Sequence, residues 1–149
     1  MRMRSALLLL PLALVACGKS ETDPRVALCL SATRQTATSP ASVKMVDFDA
    51  KPKDFKQAAA VTSTAVMDVD AVNSYGGKRR VSATCAFAPH PLPNRKGSVL
   101  LTAATIGTIQ LSDQQLADAN ALDGSARSVT EAMSAAEILR AGKTDGPAK

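Results

Sequence analysis

Chemistry needs groups that take a proton, attack a substrate or hold a metal, and this chain offers few of them. Its single histidine, His90, lies between Pro89 and Pro91 in "PHPLPNRKG", residues 89–97, whose three prolines make the stretch a loop. Histidine is the usual acid or base near neutral pH. The sequence places no carboxylate beside this one, so the expectation is an exposed loop side chain. No Gly-x-Ser-x-Gly elbow presents a nucleophile, and no glycine-rich loop cradles phosphate. Asp68, Asp70 and Asn73 suggest a calcium loop until the spacing is checked. Such a loop needs Gly at its sixth position and Glu at its twelfth, and these are Asn73 and Arg79. The pair of aspartates reads instead as the solvated face of a strand, paired weakly with Lys78 or Arg80. One basic run, Lys78-Arg79-Arg80, stands near Tyr75 at what should be a hairpin tip. These four residues form the candidate docking surface, for an acidic partner or anionic head groups. The plainer account is a soluble hairpin end that charge protects from edge pairing.

The amino terminus carries a different chemistry. Arg2 and Arg4 precede an apolar run from Ala6 to Ala16, and Cys17 follows at once. A helix needs about 20 apolar residues to cross a bilayer, whereas this run has 11 and contains Pro11. A basic start, a short apolar stretch and small residues before a cut site describe a secretory signal. "LVAC", residues 14–17, resembles the lipobox of bacterial lipoproteins. That resemblance implies a diacylglyceryl group on the Cys17 thiol, cleavage before it, and acylation of the new terminus. Residues 1–16 are then a signal peptide and 17–22 a lipidated tether. Two or more acyl chains anchor a protein stably, at about 0.8 kcal/mol per buried methylene. In the commonest sorting scheme of this family, aspartate after the cysteine retains the protein in the inner membrane. Gly18 stands there instead. "CGKSE" is also similar to the mature start of pseudomonad efflux-pump adaptor lipoproteins, whose Lys-Ser pair is associated with inner-membrane retention. The downstream sequence does not resemble those adaptors, and the outer membrane is the expectation.

Removing residues 1–16 from 149 leaves 133, enough for one domain with a modest core. The removed part holds two of the 18 basic residues, leaving 16 against 13 acidic, a net charge of +3. That mild balance, in an envelope compartment, argues against nucleic acid. Three Phe, one Tyr and no Trp are too few for a base-stacking platform. With Cys17 lipidated, Cys29 and Cys85 remain, and an even pair in an oxidising compartment reads as a disulfide. A metal pair is disfavoured, since His90 alone cannot complete four ligands with two cysteines.

The elements that must position these residues follow from caps and periodicity. Asp23 is an N-cap and Pro24 fits the first helical position. Val26, Cys29, Leu30 and Thr33 then share a helix face, and Ser39-Pro40 ends the segment. Residues 42–50 make a strand candidate, with Val46 and Phe48 alternating with charged neighbours, and 51–56 a polar loop. Val61–Val72 and Val81–Phe87 flank "NSYGGKRR" as a hairpin, with Ala65, Met67, Val69 and Ala71 on one face of the first arm. Val81, Ala83, Cys85 and Phe87 share a face of the second, so a Cys29–Cys85 bridge would join helix to sheet. "DAVNSYGGKRRVSATCAF" is also similar to hairpins of small periplasmic proteins with no assigned activity, after a helix and a turn like Ser39-Pro40-Ala41-Ser42. Residues 98–111 read as one strand, apolar on both faces and hence central. Ser112 and Gln115 form a capping box, with Leu111 and Leu116 as its hydrophobic staple, for a helix reaching Asp123 and stopped by Gly124. Ser128 and Glu131 repeat the box before an alanine-rich helix ending near Gly142, and 143–149 is a disordered tail.

The expectation is one α+β domain over 23–142. An N-terminal helix packs on a three- to four-stranded antiparallel sheet, followed by one or two C-terminal helices. The function expected is that of a lipid-anchored, periplasm-facing envelope protein with a non-catalytic interaction or scaffolding role. Its partners are the membrane, through its lipid, and an envelope protein. An inhibitor or ligand-binding module, presenting loop 89–97 or the tip 74–80 to a target such as a cell-wall hydrolase, is the alternative. An enzyme ranks third. Catalytic residues, metal and cofactor are not expected.

Overall fold

A computed structural model of the chain describes residues 23–122 and 128–144. Residues 1–16 and 17–22, expected as signal peptide and as lipidated tether with Cys17, lie outside the described residues, as do Gly124 and 145–149. Among those described, no helix is long and apolar enough to cross a membrane.

Helix α1, Pro24–Thr36, starts where the caps place it: the Asp23 carboxylate accepts from the Arg25 backbone N–H at 2.9 Å. Strand β1, Lys44–Lys51, leads through a helical turn, α2 (Phe55–Ala58), into β2, Ser63–Val72. Strand β3, Lys78–Pro89, is followed by β4, Val99–Ile106, and β5, Ile109–Gln110. Two helices close the chain, α3 (Asp113–Leu122) and α4 (Val129–Thr144). The strands form one antiparallel meander in the order β1-β2-β3-β4-β5. The class is α+β as expected, with a larger sheet of five strands. The extra strand comes from residues 98–111, which are not one strand. Gly107, at φ +60°, takes a left-handed conformation and turns the chain back on itself after Ile106.

One face of the sheet is apolar and carries α1. Ala65, Met67 and Val69 of β2 and Ala83, Cys85 and Phe87 of β3 are buried there with Leu28, Cys29 and Ala32 of the helix. Period-two patterning had separated those strand residues from their polar neighbours. β4 keeps Val99, Leu101, Ala104 and Ile106 on this face only through a bulge between Leu101 and Ala103. Thr102 is the extra residue, and its hydroxyl donates to the Ala86 carbonyl at 3.1 Å. A second irregularity shifts Val46 out of register, so Met45 rather than Val46 shares the face of Phe48. The other face, with Thr64, Val66, Ser82, Thr84 and Thr105, is open over most of its length. A half-covered antiparallel sheet explains the strict alternation of β2 and β3.

The C-terminal helices form as their caps require. Ser112 N–H donates to Gln115 Oε1 at 2.9 Å, and Gln115 N–H to Ser112 Oγ at 3.3 Å. Leu111 and Leu116 are buried at the staple. Glu131 N–H donates to Ser128 Oγ at 3.1 Å. α4 docks on α3, where Ala132 and Val129 pack with Ala117. It continues past Gly142, so residues 143 and 144 are helical rather than tail.

Candidate functional site

The β2–β3 hairpin carries the candidate docking residues, and its turn is built by Asn73. The Asn73 side-chain oxygen accepts from Tyr75 N–H at 3.0 Å and Gly77 N–H at 2.9 Å. The Asn73 backbone N–H donates to the Gly77 carbonyl at 2.9 Å, and Gly76 N–H to the Asn73 carbonyl at 3.0 Å. Gly76, at φ +79°, supplies the left-handed residue that this turn needs. Five residues, 73–77, are thus held in one conformation, and Tyr75 projects from them 95 % exposed.

The basic run is in β3 and not in the turn. Pairing of Val72 with Lys78, Ala71 with Arg79 and Asp70 with Arg80 continues the ladder to the tip. Successive side chains in a strand point to opposite faces, so the three cations are divided. Arg79 faces the α1 side, where it lines a cleft of about 270 Å³ with Thr36, Thr38, Val81 and Ile109. Lys78 and Arg80 face the open side. Arg80 Nε donates to Asp70 Oδ1 at 2.9 Å, and its Nη2 to Oδ2 at 3.2 Å. That hydrogen bond holds the Asp70 carboxyl below its ordinary pKa of 3.8, helped by the charges of Arg80 and Lys78 and opposed by desolvation. Among the described residues, Lys78 and Arg79 make no ion pair. They and Tyr75 are exposed.

Cys29 and Cys85 are joined in a disulfide between α1 and the centre of β3, with Cα atoms 5.9 Å apart and both residues fully buried. His90 differs from the exposed side chain expected of it. It is 7 % exposed, because β3 runs on to Pro89, and His90 N–H continues the ladder by donating to the Ser98 carbonyl. Its ring Nδ1 accepts from Leu92 N–H at 3.3 Å. Among the described residues, no three His, Cys, Asp or Glu side chains converge as a metal set.

Other buried polar groups escaped the sequence too, Arg25 and Asn120 foremost. Arg25 is fully buried at the start of α1, with Nε and Nη2 on the Asp23 carboxylate, Nη1 on the Pro52 carbonyl at 2.8 Å and Nη2 on the Lys53 carbonyl at 3.2 Å. It lies over the Phe55 ring, 6.0 Å from the centroid, and so ties α1 to the loop after β1. Asn120 of α3 accepts from Leu101 N–H at 2.9 Å and donates to the Leu101 carbonyl at 3.0 Å, as a neighbouring strand would. A charged second helical residue and an Asn inside a helix are common features, and neither announces burial. A larger cleft, of about 310 Å³, opens between β4, α3 and α4, with Ala103, Leu116, Met133 and Leu139 in its walls. No family model matches the chain, and no curated protein or solved structure matches it.

Proposed function

We propose that this protein is a lipid-anchored, periplasm-facing envelope protein, held in the outer membrane through Cys17, whose domain docks an envelope partner without catalysing a reaction. One observation carries the docking reading: the chain's single tyrosine stands 95 % exposed on a turn fixed by four hydrogen bonds, beside two cations without ion pairs among the described residues. A rigid tip that presents an aromatic side chain with two χ angles loses little entropy on binding, one reason Tyr is enriched among interface hot spots. Lys78 and Arg79 suit an acidic partner surface and speed its encounter. The buried disulfide is in keeping with an oxidising compartment.

A photo-crosslinking amino acid at position 75, used in intact cells, tests the docking. The expected result is one envelope-protein adduct, weakened by Arg79→Glu. Recovery of no adduct overturns the docking reading. Labelled palmitate tests the anchor: it should enter the wild-type protein and be absent after Cys17→Ser. A ligand-binding module is the second reading, favoured by the cleft between β4, α3 and α4. Its size lies at the low end of ligand sites, and its lining joins apolar side chains to Asn120, Asp113, Arg140 and Lys143, a mix that fits a small molecule with an apolar body and a polar group.

A further inference from the structure

The cleft that Arg79 lines has an apolar floor and a polar rim. Val69 and Ala71 of β2, Val81 of β3 and Ile106 of β4 form the floor, with Val69 and Ile106 buried. The end of α1 contributes Thr36 and Thr38, and the β4–β5 turn contributes Thr108. Thr33 and Thr36 spend their hydroxyl protons on carbonyls of α1 itself, at 2.8 and 3.0 Å. Those of Thr38 and Thr108, both exposed, make no such bond among the described residues. At about 270 Å³ the cleft falls just below the usual range of drug-sized ligand sites, so its occupant is small.

The charges around the cleft decide the sign of that occupant. Arg79 is the one charged residue among the described residues that line it. Strand alternation puts Asp47, Asp68 and Asp70, together with Lys44, Lys78 and Arg80, on the opposite face of the sheet. There Asp70 is already held by Arg80. The segments that complete the walls, 37–42 after α1 and 107–109 between β4 and β5, contain no charged residue. The C-terminal dipole of α1 ends at the cleft and offsets about half a charge. Arg34, in the last turn of α1 but outside the lining, adds a further cation. The cleft is therefore electropositive, with no carboxylate in its walls.

We propose that this cleft binds a small aliphatic monocarboxylate, its carboxylate on the Arg79 guanidinium and its hydrocarbon body against Val69, Val81 and Ile106. A guanidinium takes a carboxylate through two parallel hydrogen bonds. One cation, offset in part by the helix end, matches a monoanion rather than a dianionic phosphate. The site shares Arg79 with the hairpin tip but does not rest on a partner at Tyr75.

The test titrates the full chain, in a non-ionic detergent at fixed salt, with isovalerate, with its neutral isostere isovaleramide and with acetate. Methyl NMR of valine and isoleucine reads affinity and place together, since Val69, Val81, Ile106 and Ile109 line the cleft. Isovalerate should bind with a dissociation constant on the order of 1 mM, as suits so few atoms. It should bind about tenfold tighter than isovaleramide, the effect of one charge-assisted pair. Acetate, which lacks the hydrocarbon body, should bind about tenfold more weakly than isovalerate. Arg79→Gln should bring isovalerate down to the level of the amide. Equal affinity for isovalerate and isovaleramide, or acetate binding as tightly as isovalerate, would overturn the proposal. So would an Arg79→Gln variant that binds isovalerate as the wild type does, methyl shifts confined to residues outside the cleft, or the absence of saturable binding.

Discussion

Breaking the Cys29–Cys85 bridge removes the one covalent link between α1 and the sheet, and its effect can be worked from the chain. The two residues are separated by 56 positions. In the chain-entropy model a loop of that length restricts the unfolded state by about 14 cal/mol/K, or about 4 kcal/mol at 25 °C. Domains of this size have about 5–15 kcal/mol in all. Both residues are fully buried, so the native state holds the disulfide out of reach of reductant. The perturbation is therefore reduction in denaturant followed by refolding, with Cys29→Ala/Cys85→Ala as the covalent counterpart. In urea, with a slope of about 1.5 kcal/mol/M, the midpoint should fall by about 2.5 M. The slope itself should rise, because the released chain exposes more surface when unfolded. Thiol alkylation of the unreduced protein in denaturant should label neither cysteine. A midpoint that moves by less than about 0.5 M on reduction, at that slope, would refute the reasoning.

Three further outcomes follow from the buried and paired polar groups. Asn120→Ala leaves the Leu101 N–H and C=O at a closed sheet edge without their partner and should cost about 3 kcal/mol in urea unfolding; a loss under about 1 kcal/mol would contradict strand mimicry. Arg25→Ala strips Asp23 of its partner and frees two loop carbonyls, for a loss of about 3 kcal/mol, and Arg25→Lys should recover little because an ammonium cannot span three acceptors; full recovery by Lys would show that charge alone matters. The Asp70 carboxyl should titrate below 3.8 by NMR and return toward it in Arg80→Gln. Because its folded pKa lies below the unfolded one, its contribution to stability is present above the unfolded pKa and is lost as pH falls through the folded pKa, a window confined to acid. An unshifted midpoint in the wild type would remove the pair as a cause.

Much of the fold was legible because its signals are local. Asp23 and Pro24 start α1, Ser112 and Gln115 start α3, and Ser128 with Glu131 starts α4, since a cap needs only a side chain within three residues of an unpaired N–H. The hairpin was legible from alternation on both arms. Cys29 and Cys85 fell on the apolar faces of a helix and a strand, so even their meeting could be expected. The extent of β3 was not, because nothing short of the pairing itself says where a ladder stops.

What the sequence by itself determined is therefore the α1, α3 and α4 helices, the β2–β3 hairpin, their order, and the inward faces of β2 and β3. Tertiary structure decided which face each basic side chain of the hairpin takes. Pairing carried β3 to Lys78, and the strand's alternation then sent Arg79 to one face and Lys78 and Arg80 to the other. Gly107 turned one apolar run into two strands, Thr102 bulged to keep Leu101 inside, and Asn120 closed the edge that β5 was too short to cover. Arg25 became buried only because a loop 27 residues away brought carbonyls to meet it. The Thr102 bulge, the Asn120 closure and the burial of Arg25 rest on hydrogen bonds between groups distant in sequence, which local propensity and periodicity do not encode.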